Sequence, residues 1–348
     1  MAQVKSDLRQ LKELLDQATK RSYADYARGD FQVEKEQVEL GQKLEKEILE
    51  SFLTKVQNNS GYIHGTVSEE KLKWAREQLF GGKVAGVDGR RDKPLDIVSG
   101  VFCEIGIARV TYQTLSDPNL SCFPITSHLK EATTVDKYYS NLEDNRLKED
   151  TITTAMIYWE LEACLNSPTA WVLKDGPIIH PSLVWKGYDF LIDLLRKVVN
   201  HKRIIGIVKD LRGEVSIPLR RFGKLLKPGE YLVVYKGVKD WITDDKLQDA
   251  AKRLRLDEGS KVYRGVFKAR VKAYGFEIHE ESFEEGMAIL MADAMNNKRG
   301  MPNLVDQADT IAGIAFPSGL FSEKIKREFL LRGMGEYWDL IDEHDLRG

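Results

Sequence analysis

The sequence predicts an α/β fold in which a mixed sheet is flanked by helices, with a helical extension at the N-terminus and a helical region at the C-terminus. Short apolar runs alternate with helical patterns between residues 81 and 209, which favours crossover connections and largely parallel strands there. Residues 211–281 carry β patterns, and three helical patterns follow them. The 348 residues are enough to bury a large core.

The composition is that of a folded globular protein. Hydrophobic residues make up 42% of the chain and charged residues 30%, which is too apolar for a disordered chain and too charged for a membrane protein. No stretch approaches about 20 consecutive apolar residues, and the N-terminus lacks the apolar segment of a signal peptide. We therefore expect a cytoplasmic protein that does not bind a membrane. The three cysteines form no CxxC pair, so we expect reduced thiols.

The net charge of −2 does not favour a protein that passively coats DNA. A local basic groove can still bind phosphates, because each contact depends on nearby lysine and arginine side chains. Arg90-Arg91, Arg220-Arg221 and Lys252-Arg253 are basic pairs of this kind. Each pair taken singly is more typical of a solvated surface.

Residues 6–57 form an amphipathic stripe and predict two or three helices. Apolar residues recur there at spacings of three and four, and Gly29 and Gly41 interrupt the pattern. Such helices either pack on the following domain or dimerise, and the pattern does not choose between the two. We expect residues 1–80 to form the extension and residues 81–348 the main domain. The apolar positions are Leu8, Leu11, Leu15, Leu44, Ile48, Phe52 and Val56.

Two predicted strands end in Asp-Gly. The apolar run at residues 84–87 leads into Asp88, and the run that begins at Trp171 leads into Asp175. A third apolar strand ends at Lys209. Carboxylates at the ends of neighbouring parallel strands converge on one edge of the sheet, and they supply the hard oxygens that Mg²⁺ and Mn²⁺ prefer. An Asp-Gly pair also suits a simple turn, so the pattern alone leaves both interpretations open.

Helices supply two further acidic candidates. Glu160 and Glu162 lie in a predicted helix over residues 151–167, and they are about 200° apart around its axis, so only one can face the sheet. We favour Glu160, because Met156 and Cys164 extend its side of the helix as an apolar stripe. Asp309 lies in a predicted helix that begins near Pro302, and on its own it is typical of a solvated position.

Five motifs occur in an order that resembles the NurA nucleases, a family similar in fold to ribonuclease H. These motifs are VAGVDG, WELEA, WVLKDGPII, IIGIVKD and MPNLVDQADTIAGI, and they run from residue 84 to residue 313. The resemblance implies a ribonuclease-H-like mixed sheet and a metal-dependent DNA nuclease. It also implies a hexameric ATPase partner of the HerA type in the processing of DNA ends.

The resemblance also assigns roles to residues. It makes Asp88, Asp175 and one of Glu160 and Glu162 metal ligands, and it places Asp309 where family members carry Asp or His. It implies that Lys209 contacts phosphate or stabilises the developing charge. Two positions depart from the family: Met301 replaces a tyrosine found in some members, and Arg90 stands where a small residue is common.

The function we expect is therefore DNA cleavage with two Mn²⁺ or Mg²⁺ ions, in DNA repair or in defence against foreign DNA such as phage. No Walker A sequence is present, so ATP-driven movement would come from the partner. We also expect a homodimer in which residues 6–57 contribute to assembly. One alternative is a catalytically silent DNA-binding adaptor of such an ATPase. Another is a different ribonuclease-H-like enzyme, such as a resolvase or an RNA-hybrid nuclease.

Overall fold

The structure is a computed structural model, and its chain divides into two compact units, Met1–Asn58 and Asn59–Gly348. In the first unit, the described residues are helical: Lys35, Glu39, Leu40, Lys43 and Glu47. The rest of the helices predicted for residues 6–57 lies outside the described residues. In the second unit, the structure describes residues 62–92, 95–97, 100–113, 117–122, 125–126, 145–180, 183, 189–209, 211, 217–237 and 262–333.

The described part of the second unit is built on a nine-stranded mixed sheet with the order β1-β10-β11-β12-β9-β8-β2-β5-β6. A small three-stranded sheet has the order β3-β4-β7. The strands are β1 (Ile63–Thr66), β2 (Val84–Arg91), β3 (Leu95–Ile97), β4 (Gly100–Phe102), β5 (Ile105–Val110), β6 (Asp117–Cys122), β7 (Ile125–Thr126), β8 (Trp171–Asp175), β9 (Ile204–Val208), β10 (Glu230–Tyr235), β11 (Val262–Lys268) and β12 (Tyr274–His279).

Helices cover both faces of the large sheet. One face packs against α2 and α3, and the other packs against α1, α5 and α6, so each face has its own apolar core. No described helix has the length and apolarity needed to cross a membrane. The helices are α1 (Glu69–Phe80), α2 (Asn145–Leu165), α3 (Asp189–Asn200), α4 (Ile217–Leu225), α5 (Phe283–Met295), α6 (Asn303–Ala315) and α7 (Leu320–Leu331).

The predicted alternation of strands and helices is confirmed at the centre of the sheet. Strands β2, β8 and β9 are parallel neighbours, and α2 and α3 precede β8 and β9 in the chain. Strands β5 and β6 lie on the other side of β2, and both pairings are antiparallel. This arrangement of five strands is that of a ribonuclease-H-like sheet, which confirms the predicted fold class. The remaining pairings in the large sheet are also antiparallel, so the sheet is mixed, as predicted, and only β2, β8 and β9 form its parallel part.

Strand β2 is longer than the sequence predicted. We expected it to end at Asp88, but it continues to Arg91 because β5 pairs with it along its whole second half. Its parallel pairing with β8 ends earlier, at Val87 and Lys174. Asp88 therefore lies where β2 and β8 separate while β2 is still held on its other side.

The chain between β9 and β10 forms a helix that the sequence analysis did not predict. Helix α4 lies in a segment that we expected to be β-rich. The apolar residues Leu219 and Phe222 lie in the helix and Leu226 directly follows it, at spacings of three and four, which is a helical period, and Pro218 suits the first helical turn. The stripe was too short to be recognised between strands.

Strand β1 and helix α1 belong to the second unit. Strand β1 pairs with β10 at the edge of the large sheet. Helix α1 packs on α5, where Lys71 Nζ lies 2.5 Å from Glu284 Oε2. The unit to which they belong begins at Asn59.

The three C-terminal helices are confirmed, and α6 crosses β2 at very short range. A Cβ atom at Gly86 would lie 2.3 Å from the Leu304 carbonyl oxygen, so only glycine permits this approach. Asp293 stabilises the start of α6, because its Oδ2 accepts a hydrogen bond of 2.9 Å from the Leu304 amide. Its Oδ1 accepts one of 2.6 Å from the Tyr112 hydroxyl.

Candidate active site

Asp88 and Asp175 are brought together by the parallel pairing of β2 and β8. Val87 is the register partner of Lys174, so the two aspartates follow as the next residues on neighbouring strands. Lys209 follows β9, the next strand in the sheet. Its Nζ lies 2.7 Å from Asp175 Oδ2 and 3.6 Å from Asp88 Oδ2. One cation is therefore shared by the two carboxylates.

The Asp88 carboxyl group is in an unfavourable place for a negative charge. The residue is 4% exposed, and its Oδ1 accepts a hydrogen bond from the Gly89 amide. Burial, followed by repulsion from Asp175, raises the pKa of Asp88 to about 9, although Lys209 acts in the opposite direction. A further cation bound beside Asp88 would lower its pKa again and favour the charged carboxylate.

Lys209 remains a cation in this environment. Burial lowers its pKa, but the attraction of Asp88, Asp175 and Asp309 is together larger, so the pKa of Lys209 lies above its usual value. Its side chain is 34% exposed, so the ammonium group is also open to solvent. A group with this charge and exposure is suited to contact an incoming anion.

Glu160 lies on α2, and its side chain reaches the site from the face of the sheet on which α2 packs. A Cβ atom at Gly89 would lie 2.5 Å from Glu160 Oε1, so the glycine makes room for this carboxylate. Glu160 Oε2 lies 2.8 Å from Lys174 Nζ, and both side chains are buried. Lys174 also donates a hydrogen bond to the carbonyl oxygen of Asp175. The Glu160–Lys174 pair therefore links α2 to the backbone that carries Asp175.

Glu162 lies on another side of α2, as the helical geometry predicted for one of the two glutamates. It is half-buried, and its Oε2 accepts a hydrogen bond of 3.1 Å from Asn166 Nδ2. Tyr158 also lies close enough for its pKa to be raised by burial and then by Glu162. Glu160 is thus the glutamate of this pair that faces the sheet, and its role as a metal ligand stays a prediction.

Asp309 is exposed on α6, but its charge reaches the site. It raises the pKa of both Asp88 and Lys209, although it is the last contributor in each case. Arg90 extends toward the same helix, since its Nη1 lies 2.6 Å from the place of a Cβ at Gly313, one turn beyond Asp309. Met301 is buried, so it takes part in the core.

Glu277 is a buried residue beside the site that the sequence analysis missed. It lies on β12 and is 0% exposed, and its Oε2 accepts hydrogen bonds of 2.8 Å and 3.1 Å from the amides of Ile178 and Ile179. Its Oε1 lies 3.7 Å from Arg264 Nε. These contacts hold the segment that follows Asp175. In the sequence Glu277 occupies a polar position of the alternating pattern Phe276-Glu277-Ile278, which is typical of a solvated strand face, so no local signal marks it as buried.

The carboxylates are suited in chemistry to a divalent cation. Asp88 and Asp175 both reach one positive charge, the Lys209 ammonium group, and hard oxygen donors of this kind suit Mg²⁺ and Mn²⁺. In the described residues, no three His, Cys, Asp or Glu side chains are grouped closely enough to hold one ion. The aspartate pair is therefore the part of the candidate site that fits a cation best.

Two of the three cysteines lie in the described core as thiols. Cys103 and Cys164 are both buried and form no disulfide. Burial raises the pKa of Cys164 to about 12, so this thiol is uncharged near neutral pH. Cys164 packs one turn after Glu160 in α2 and acts as an apolar residue beside the buried ion pair.

Comparisons with known proteins find likeness in structure only. No family model and no curated protein matches the sequence. The crystal structure of NurA with manganese aligns at 10% identity and a TM-score of 0.42, covering 75% of this chain and 95% of that chain. A second crystal structure of NurA gives 10% identity and a TM-score of 0.41, with 71% and 92% covered.

Endonuclease V of Ciona intestinalis, in complex with a DNA 24mer that contains inosine, aligns more loosely. Its identity is 14% and its TM-score 0.30, with 70% of this chain and 93% of that chain covered.

Proposed function

We propose that this chain is a divalent-metal-dependent deoxyribonuclease that hydrolyses phosphodiester bonds. The observation that carries the proposal is that Asp88 and Asp175, on neighbouring parallel strands, both reach one cation at the edge of the sheet. Burial, and after it repulsion from Asp175, raises the pKa of Asp88, so a cation bound beside this carboxyl group would favour its charged form. Such a site is suited to attract positive ions and to hold them beside a phosphate group.

Each acidic residue has a place in this proposal. Asp88 and Asp175 would hold the cations, with Glu160 beneath them and Asp309 at the open side, and we propose two ions of Mn²⁺ or Mg²⁺. When bound, the ions would supply Lewis acidity for the phosphoryl group and for the attacking water. Lys209 lies at the solvent-exposed side of the aspartates, where it would contact a phosphate oxygen and stabilise developing charge.

A catalytically silent DNA-binding subunit is the second candidate, and one observation favours it. The carboxylates of Glu160 and Asp175 each already have a lysine partner, Lys174 and Lys209. In a catalytically silent protein these ion pairs would stay formed, and no metal ion would bind to the carboxylates. In an enzyme, Lys209 would move toward the substrate when a cation enters.

The wider biological role belongs to the same proposal. We propose a homodimer that works with a HerA-type hexameric ATPase, in DNA repair or in antiviral defence, with residues 6–57 contributing to assembly. The support is the amphipathic stripe in those residues and the absence of a Walker A sequence, which leaves movement along DNA to a partner. Light scattering of the full chain tests the dimer, and a monomer that fails to co-migrate with the ATPase contradicts it.

Cleavage of labelled DNA with the purified full-length protein tests the enzymatic proposal. Single-stranded and duplex oligonucleotides are each incubated with Mn²⁺, with Mg²⁺ or with EDTA, and with and without a HerA-type ATPase. We expect shortened products with a divalent ion and none with EDTA. Intact DNA under all of these conditions, from a protein that binds the same oligonucleotides, would favour the silent subunit instead.

A further inference from the structure

A cleft of about 690 Å³ opens beside Lys209. Its walls come from α4 and from the turn that joins β11 to β12, and no acidic residue is among the described residues that line it. A concave surface with charge of one sign concentrates positive potential, even though the whole chain has a net charge of −2. The charged residues that line the cleft are Lys209, Arg220, Lys224, Lys268 and Lys272.

The sheet pairing explains why these distant residues meet. Strand β12 is antiparallel to β9, and Gly275 is the register partner of Val208. The turn before β12 therefore lies beside the end of β9, where Lys209 is located. Helix α4 completes the cleft by packing closely, because a Cβ atom at Gly223 would lie 2.6 Å from the Cβ of Ala273.

Lys209 belongs to both the cleft and the carboxylate site. Its Nζ lies 2.7 Å from Asp175, and its side chain also lines the cleft. The cleft therefore borders the carboxylate site at this lysine. Val271, at 81% exposed, adds an apolar side chain to the turn that forms one wall.

We propose that this cleft binds the phosphodiester backbone of a single DNA strand and directs it toward Asp88 and Asp175. The inference rests on the proposed nuclease function for the identity of its ligand. Lysine contacts phosphate as a point charge, so binding would be independent of sequence. A single strand fits a concave cleft, and its unstacked bases can pack on exposed apolar groups such as Val271. The bases of a duplex stay stacked inside the double helix, so they cannot make this contact and a duplex should bind the cleft less well.

Fluorescence anisotropy with a labelled single-stranded 20-mer, in buffer with EDTA, tests the cleft apart from metal binding and cleavage. The double variant Lys268→Ala/Lys272→Ala changes the wall formed by the turn, and Arg220→Ala changes the α4 wall. We expect the double variant to bind about tenfold more weakly. The slope of log Kd against log salt concentration should also fall by about 0.7 for each phosphate that the variant no longer neutralises.

A matched control has the same change in net charge outside the cleft. Lys73→Ala/Lys197→Ala removes two exposed lysines from α1 and α3, and we expect its affinity to stay within about twofold of wild type. Equal losses of affinity in the cleft and control variants would overturn the proposal, as would equal affinity for a blunt duplex of the same sequence. A protein that binds through the cleft but cleaves nothing would refute the nuclease and leave the cleft standing.

Discussion

The ammonium group of Lys174 lies 2.8 Å from the carboxylate of Glu160, and both side chains are buried. Neither charge has water to replace a missing partner. Burial lowers the pKa of Lys174, but the attraction of Glu160 is part of a larger opposing effect that raises it above its usual value. The pair is therefore charged in the folded protein and depends on both members.

Removing one member of this pair should destabilise the protein more than removing both. We expect Glu160→Gln to lower the free energy of unfolding by about 3 kcal/mol, because it leaves Lys174 buried without a counter-charge. Glu160→Gln/Lys174→Met should recover most of that loss. Urea unfolding of both variants measures the difference, and Glu162→Gln, at a half-buried position on another side of α2, is the control. A double variant that is as unstable as Glu160→Gln, or more so, would contradict the pairing.

The aspartate variants test the candidate site itself. We expect Asp88→Asn and Asp175→Asn to cleave DNA at less than about a tenth of the wild-type rate, because each removes a cation ligand. The thermal stability of Asp88→Asn without metal should hold or rise, since the amide resembles the neutral acid that burial favours. Asp193→Asn, on the surface of α3, is the matched control. Cleavage above that rate by either variant would remove the residue from the site.

The two neighbouring glutamates of α2 should differ in function. We expect Glu160→Gln to reduce cleavage strongly and Glu162→Gln to leave it near the wild-type rate, because Glu160 alone of the two faces the sheet. Initial rates on a labelled oligonucleotide, measured at a temperature where both variants are folded, give the comparison. Equal loss from both changes would contradict a single inward glutamate.

The close crossing of α6 over β2 predicts a strong effect at Gly86. We expect Gly86→Ala to lower the free energy of unfolding by about 1–3 kcal/mol, because the methyl group would lie against the Leu304 carbonyl and push the helix away. At Gly237 the same substitution meets no atom within 4 Å, so Gly237→Ala should be neutral or slightly stabilising. Thermal unfolding of the two variants tests this, and equal Tm values would contradict it.

Asp293 should make stability depend on pH. Burial raises its pKa to about 6, although the hydrogen bond from Tyr112 acts to lower it. The folded pKa lies above the unfolded value of 3.8, so the stabilising contribution is complete below about pH 4 and is lost as the pH rises through 6. This contribution of Asp293 to the free energy of unfolding is about 3 kcal/mol. Asp293→Asn cannot titrate, and its unfolding free energy between pH 4 and pH 7 should fall less than that of wild type; parallel profiles would rule this out.

Local patterns predicted the elements that bear the candidate site. The apolar runs before Asp88 and Asp175 became neighbouring parallel strands, and the helical spacing around Glu160 correctly limited the inward glutamates to one. These features depend on residues close in sequence, where periodicity is informative. The sequence also contains a signal for the buried ion pair at Lys174, since a lysine within an apolar strand requires a partner.

Long-range pairings could not be read from such patterns. The antiparallel contact of β12 with β9 extends the sheet by four strands, and no local signal specifies it. The same contact brings the turn after Lys268 beside Lys209. Arg220 had been noted as one of a basic pair, but its wall of the cleft depends on the unpredicted helix α4.

Strands β9, β12 and β11 are consecutive members of one hydrogen-bonded sheet. Lys209 follows the first of them and Lys268 ends the last, so the distance between their backbones cannot change much without breaking the ladder between them. A ligand that spans both finds the backbone positions of its contacts already in place, so only the two side chains have to be ordered. No hinge separates the two lysines, so a strand that advances between successive cuts would have to slide or be pushed from outside.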